Sequence, residues 1–415
     1  MKQTSKKSTT YFPKDSYRIL AKNEVVSNNT WITGLNNNDV IIGPSGAGKT
    51  RGYVIPNILE MNGSMIVADT KGSILGKVRG RLEQNGYIIQ SLDFTGNTLE
   101  CGYNPFGYIR YNEETDTFSV RDIKTVAAAL VPLEGTHDPF WHLAARQVFE
   151  CLAAYTLECL PKEEQNITSV IKLFCIMGTN AYHRLFHELA ELAPDSYAIS
   201  IYDMIKGYAQ AERMYESIRA ILSQKLSLYA EESIQKLFTH KKQVDFQKMG
   251  RQKTALFLTI SDTDRSMDEL VNLFYTQAFH ELCNSADRHY PNGRLKIPVR
   301  FFLDDFAANV FIPDFDKTIS VIRSREIAVS IILQSLSQLE DMYGEAGAKT
   351  ILNNCDNCLY LGGQDVETAQ YISHKANKSA SSILNMSLND AWLFQRGAEP
   401  KQVEKYIMQE EVQCG

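Results

Sequence analysis

Gly43-Pro44-Ser45-Gly46-Ala47-Gly48-Lys49-Thr50 decides how the rest of this 415-residue chain is read. The octapeptide fits the pattern G-x-x-x-x-G-K-[ST] and follows directly on the apolar run Asp39-Val40-Ile41-Ile42. In that setting glycines let backbone N–H groups wrap phosphate oxygens, and the N-terminus of the following helix adds a favourable dipole. The spacing assigns Lys49 to the β- and γ-phosphates of a nucleoside triphosphate and Thr50 to Mg²⁺.

Outward from the loop, β-rich apolar runs alternate with helical patterns over about 31–110. Met65-Ile66-Val67-Ala68-Asp69 and Tyr87-Ile88-Ile89-Gln90 are the next two runs. Such alternation implies crossover units and a parallel sheet. From about 120 to 245 the period changes. Residues 141–150 (WHLAARQVFE) and 214–222 (MYESIRAIL) carry apolar side chains at three- and four-residue spacing, the mark of amphipathic helices. Strand-like runs return at 254–260, 299–303, 327–333, 358–361 and 391–394. Their near-continuous apolar character is what a sheet covered on both faces requires. The expected architecture is α/β. A nucleotide-binding domain of residues 31–118 and 246–415 has a mostly parallel central sheet, an all-α domain of residues 119–245 is inserted into it, and a polar segment, 1–30, precedes both.

The bulk properties narrow the class. With 44% hydrophobic and 22% charged residues the chain has ordinary globular composition. A formal net charge of −6 excludes a chain coated in positive charge, while leaving room for a local basic lining that contacts nucleic acid. Eight scattered cysteines and no signal-peptide pattern point to reduced thiols and the cytosol. No apolar run approaches the ~18 residues needed to cross a bilayer. The expected location is cytoplasmic.

A phosphate loop needs a second site for magnesium and for the attacking water. Phe301-Phe302-Leu303-Asp304-Asp305 ends an apolar run in paired carboxylates. Asp304 is expected to hold the Mg²⁺ shell and Asp305 to orient or deprotonate water; the competing reading is a solvated acidic turn. Gln334, at the end of the run 327–333, is placed to sense a γ-phosphate, or is an ordinary strand-end polar residue. Arg323, in Ile322-Arg323-Ser324-Arg325-Glu326, either stabilises transition-state charge in a neighbouring subunit or makes a surface salt bridge. Other features carry less. Cys355-Asp356-Asn357-Cys358 lacks a second pair and reads as loop and core. His183 and His187 are four apart, but Arg184 stands where a zinc protease needs glutamate, so both read as helix surface. The Lys2/Lys6/Lys7 and His240-Lys241-Lys242 clusters read as solvated faces.

Taken in order, several motifs follow the phosphate loop: Arg51, Pro56-Asn57, Asp69-Thr70-Lys71-Gly72, Tyr103-Asn104-Pro105-Phe106 and Asp138-Pro139-Phe140-Trp141. Leu303-Asp304-Asp305-Phe306-Ala307, Ile312-Pro313-Asp314-Phe315, Ile322–Glu326, Ile332-Leu333-Gln334-Ser335 and Leu361-Gly362-Gly363 complete the set. Over roughly residues 35–400 this resembles the type IV secretion coupling proteins, the TraG/TraD-like conjugative DNA-transfer ATPases. The resemblance implies a RecA-like motor domain of the FtsK/HerA kind with an all-α insert, using ATP and Mg²⁺. It implies a homo-hexameric ring on DNA, single-stranded and carried with its relaxase, that feeds the type IV secretion channel. By position, Lys49 and Thr50 match the Walker A pair, Asp304 the Walker B aspartate, Asp305 the catalytic acid, Gln334 the third motif's glutamine and Arg323 the arginine finger. Three departures stand out: an aspartate at 305 where glutamate is usual, Ser73 where glutamate commonly follows Asp-x-Lys-Gly, and a shortened stretch over 375–390. Most members begin with two transmembrane helices. Without them, membrane contact at the inner face is expected through partners. The alternatives are a cargo-docking adaptor that ATP merely switches, and a related motor acting on double-stranded DNA.

Overall fold

A nine-stranded sheet organises the first of two compact units in the computed structural model, which describes residues 16–408 except Lys71, 134–138 and 307–310. Lys2, Lys6, Lys7, Asp138, Ala307 and Cys414 also lie outside the described residues. In chain order the strands are β1 (Tyr17–Ala21), β2 (Glu24–Ser27), β3 (Asp39–Ile42), β4 (Ser64–Ala68), β5 (Ile88–Asp93), β6 (Tyr111–Asn112), β7 (Thr117–Phe118), β8 (Thr254–Thr259), β9 (Val299–Leu303), β10 (Ile327–Leu333), β11 (Asn357–Tyr360), β12 (Asp390–Gln395) and β13 (Lys401–Glu404). The main sheet has the order β13-β12-β11-β3-β10-β9-β4-β8-β5. From β11 to β8 neighbouring strands pair in parallel, and β12 and β13 add an antiparallel edge.

Every residue of β3, β4 and β10 is buried, as their mostly apolar composition requires of strands covered on both faces; the polar exceptions, Asp39, Ser64 and Ser330, are each hydrogen-bonded. Register fixes which strand ends lie together. Leu333 pairs with Ile42, and Ile331 with Leu303, so β3, β10 and β9 end side by side. The helix after the phosphate loop begins as a π-turn, Thr50–Val54, and continues α-helically over Ile55–Leu59. Pro56 explains the irregularity, because it has no N–H to return to a carbonyl in the preceding turn.

The second unit comprises residues 92–244 and 264–277. It contains helices at Val120–Leu130, Phe140–Cys159, Ile167–Cys175, Asn180–Leu192, Tyr197–Ile205, Glu212–Ser227 and Glu232–Thr239, with the small hairpin β6–β7. Its limits are wider than the expected 119–245. The reason is aromatic packing within the unit. Phe94 and Tyr103 lie edge-on to Phe274, at 5.9 and 5.2 Å between ring centroids, and the Tyr103 hydroxyl donates to Gln277 Oε1 at 2.6 Å. No helix among the described residues is long and apolar enough to cross a membrane.

The first unit also claims residues expected to be a polar N-terminal segment. β1 and β2 form an antiparallel hairpin, and Arg18 on β1 is 1% exposed. Its guanidinium meets Asp39 in a two-pronged ion pair, Nε to Oδ2 at 2.7 Å and Nη2 to Oδ1 at 3.1 Å. Asp39 also accepts from the Tyr53 hydroxyl at 2.6 Å and the Asn357 amide at 2.8 Å, with Arg300 Nη1 at 3.4 Å. Arg18 further donates to the side chains of Asn28 and Asn37. Asn57 completes the clasp: its amide donates to the Ile19 carbonyl and accepts from the Ile19 N–H, as a neighbouring strand would.

Burial alone would push the Asp39 carboxyl up; the charges of Arg18 and Arg300 and the Arg18 and Tyr53 hydrogen bonds outweigh it and hold it below its ordinary 3.8. Asp39→Ala leaves two arginines without their counter-charge and is expected to cost about 3–5 kcal/mol, read as a fall in the urea midpoint relative to the unaltered chain. A carboxyl held low in the fold stabilises it above the unfolded value, and that contribution disappears as pH falls through the folded one. As pH falls below about 4 the unaltered chain should therefore lose more stability than Asp39→Asn, measured by urea unfolding at successively lower pH.

Candidate nucleotide-binding site

The carboxyl ends of β3, β10 and β9 bring together Lys49, Thr50, Asp304, Asp305 and Gln334, five of the expected side chains. β3 delivers the loop 43–50, β9 delivers Asp304 and Asp305, and β10 lies between them and ends at Gln334. The Gly43 N–H donates to the Leu333 carbonyl at 3.1 Å, so the loop starts in contact with the middle strand. Gly46 and Gly48 take φ of 79° and 96°, conformations that a side chain resists, and both are exposed at the rim with Pro44 and Ser45.

Lys49 is 7% exposed and folds back over the loop, its ammonium donating to the carbonyls of Gly43 at 2.7 Å and Pro44 at 3.1 Å. Burial lowers its pKa, opposed by the carboxylates of Asp305 and Asp304. Thr50 donates its hydroxyl to Asp304 Oδ2 at 2.7 Å. Asp304 is 8% exposed, and burial pushes its carboxyl up to about 6; the Thr50 hydrogen bond and Lys49 act against that rise, while Asp305 adds to it. Burial makes the charged form of Asp304 costly, a cost that a cation bound beside Thr50 and Asp304 would offset. Asp305 has a left-handed backbone, φ 49°, and its N–H donates to Asp304 Oδ1 at 3.2 Å. Gln334 Nε2 reaches Asp305 Oδ1 at 3.4 Å. The carboxylates are thus distinguished: Asp304 is turned to Thr50, Asp305 to Gln334.

Arg323 is not brought to this group. It lies exposed on the turn Ile322–Arg325, before β10, whereas Gln334 follows β10. Seven strand residues, about 23 Å at ~3.3 Å each, separate the two ends. Its neighbour Arg325 is held by Asp287 in two hydrogen bonds of 2.9 Å. Asp69, which opens the motif shared with Thr70 and Gly72, serves the fold. Its carboxylate accepts from the N–H groups of Ser73, Ile74 and Leu75 at the start of the helix Ser73–Gln84. His183 and His187 lie exposed on their helix, His183 beside the Tyr202 hydroxyl. Cys358 is buried on β11.

Sequence reasoning missed Lys405. Its ammonium donates to the carbonyl of Ala47 at 3.4 Å, inside the phosphate loop. No motif announces it, because 358 positions separate the partners.

The family described as type IV secretory system conjugative DNA transfer matches residues 4–412. VirD4 proteins of Rhizobium rhizogenes and Agrobacterium fabrum are each 26% identical over 86% of this chain. The chain spans about half the length of these relatives, 51% and 52%. Among solved structures, the conjugative coupling protein TrwB lacking its first 70 residues, with bound sulphate, superposes with a TM-score of 0.66 at 17% identity, covering 90% of this chain and 86% of that one. TrwB in complex with the ATP analogue ADPNP gives 0.64 at 18% identity over the same shares. VirB4 of Thermoanaerobacter pseudethanolicus gives 0.57 at 14%, covering 96% and 98%. The fold is that of a RecA-like P-loop NTPase, and the chain belongs to the type IV secretory conjugative DNA-transfer family, the coupling proteins of type IV secretion.

Proposed function

We propose that the chain is an ATPase that couples hydrolysis to transfer of conjugative DNA, as nucleoprotein, into a type IV secretion channel. The observation that carries this reading is the Thr50–Asp304 hydrogen bond beside the carbonyl-capped ammonium of Lys49. That arrangement fits Mg²⁺-ATP. Mg²⁺ retains waters and takes one or two protein oxygens plus phosphate oxygens, so Thr50 and Asp304 suffice to hold it. The ion's contribution is to neutralise phosphate charge and polarise the γ-phosphoryl group.

The chain's own residues supply the rest. Backbone N–H groups of 43–50 bind the phosphates, and Lys49 leaves the Gly43 and Pro44 carbonyls to meet the β- and γ-oxygens. Asp305 orients the attacking water and accepts its proton, and Gln334, already beside Asp305, holds that carboxylate and senses the γ-phosphate. Arg323, one strand length away from its own loop, is offered to the loop of a neighbouring copy, in a ring read as a hexamer around single-stranded DNA. The relaxase on the DNA, the channel components and a position at the inner face of the membrane, reached through those partners, belong to the same proposal. ATP-switched docking of cargo with little hydrolysis is the second reading, favoured by the shorter side chain at Asp305.

Single-stranded DNA should stimulate ATP hydrolysis, and Lys49→Ala should lower turnover by about 10²-fold or more, measured as phosphate release. Nucleotide and cargo binding without turnover in the unaltered chain would sink the motor reading and leave the adaptor. Asp305→Glu, which lengthens the reach toward the water, should give equal or greater turnover; a severe loss would count against the reading that the shorter side chain at 305 limits reach. Arg323→Ala alone should lower turnover by about 10³-fold or more. Mixed rings of Arg323→Ala and Lys49→Ala subunits should regain part of the activity, since each supplies what the other lacks. No recovery in mixed rings verified by native mass would count against Arg323 acting between copies.

A further inference from the structure

The phosphate loop is gripped from two sides, and only one grip follows from its motif. Lys49 holds the carbonyls of Gly43 and Pro44 from within. Lys405 reaches the Ala47 carbonyl from the C-terminal segment that follows β13. We propose that Lys405 is a positioning residue for nucleotide binding: by holding the Ala47 carbonyl it turns the N–H of Gly48 toward the phosphates.

Peptide geometry supplies the link. Ala47 C=O and Gly48 N–H belong to one planar unit, and there are no cis peptide bonds among the described residues. In a trans peptide the carbonyl and the next N–H point in opposite directions. Fixing the carbonyl outward therefore aims the N–H inward. Such a restraint matters at this peptide, because Gly48 and Gly46 are both exposed and both left-handed, and glycine gives little resistance to reorientation of an adjoining peptide.

Lys405 is itself well held. Its N–H donates to the Asn389 carbonyl at 2.9 Å, and the residue before it, Glu404, accepts at its carbonyl from the Lys22 N–H at 3.0 Å. The residue after it comes against the loop's helix so closely that a Cβ on Gly52 would stand 2.7 Å from the Tyr406 carbonyl oxygen. Ala47, Val403 and Met408 pack on the same hydrophobic core. The ammonium is half-buried; burial lowers its pKa, opposed by Asp390, so it has lost part of its water and gains by the carbonyl. Segment 404–408 thus works as a strap across the start of the phosphate-loop helix, and Lys405 is its contact with the loop.

This role of Lys405 rests on the nucleotide reading above, and the two can fail separately. Titration of the full chain with MANT-ATP and Mg²⁺ tests both. Lys405→Met should weaken binding about five- to tenfold, the loss expected for one ordinary hydrogen bond, since the contact is long at 3.4 Å. Lys405→Arg, which keeps a donor within reach of the carbonyl, should bind within about twofold of the unaltered chain. The thermal midpoint of the nucleotide-free Lys405→Met variant should stay within ~2 °C of the unaltered chain. Equal affinity in Lys405→Met, or a loss that Lys405→Arg does not restore, overturns the role of Lys405 while leaving the nucleotide site intact. Failure of the unaltered chain to bind at all overturns the nucleotide reading and the role of Lys405 with it.

Discussion

One buried carboxylate gathers the first unit. Asp39 opens β3, and its two oxygens meet groups from β1, β9, β11 and the phosphate-loop helix. A carboxylate this deep would be costly alone, and so would Arg18 or Arg300; together, with Tyr53 and Asn357 filling the remaining positions, they satisfy one another. The charge cluster sits where β3 begins and the nucleotide loop sits where it ends. Three fully buried residues, Val40, Ile41 and Ile42, connect them. The loop is therefore mounted on a strand whose other end is locked in register by directional contacts, while dispersion and apolar burial alone would permit slip.

Tyr53 extends that lock to the helix. Its hydroxyl bonds both Asp39 and Ser330, which stands opposite Asp39 on β10. Asn57, one turn further on, pairs with both backbone groups of Ile19. The helix that must present its N-terminus to phosphate is thus held along its length by polar contacts, even though Pro56 interrupts its own ladder and its first turn is π-helical. The departure from regular helix at Thr50–Val54 is tolerated because the surroundings determine where the helix lies.

Much of this was legible in the chain itself. The strands of the main sheet were readable where their residues are apolar in near-continuous runs, the composition that a strand buried on both faces mostly requires. The phosphate loop was readable because its residues are contiguous. Asp304, Asp305 and Gln334 were readable because each ends such a run. What could not be read depends on partners distant in sequence. Arg18 looks like one more charge in a polar beginning until Asp39 is seen against it, 21 positions on. Residues 92–118 continue a strand–helix pattern by period, yet Phe94 and Tyr103 find their aromatic partner at Phe274. β13 is short and mostly exposed, so no pattern marks it, and Lys405 inherits that silence.

β10 has a further consequence. It is bonded to a parallel neighbour on each side, and every one of its seven residues is buried. A strand so held cannot stretch or compress, since either would break ladder bonds on two edges at once. Gln334 caps one end and the turn bearing Arg323 leads into the other. The strand is a strut. A group answering to the loop of this chain and a group turned away from it are fixed to the same rigid piece, at a spacing set by backbone geometry. Whatever moves one end moves the other by the same amount, with no intermediate lever.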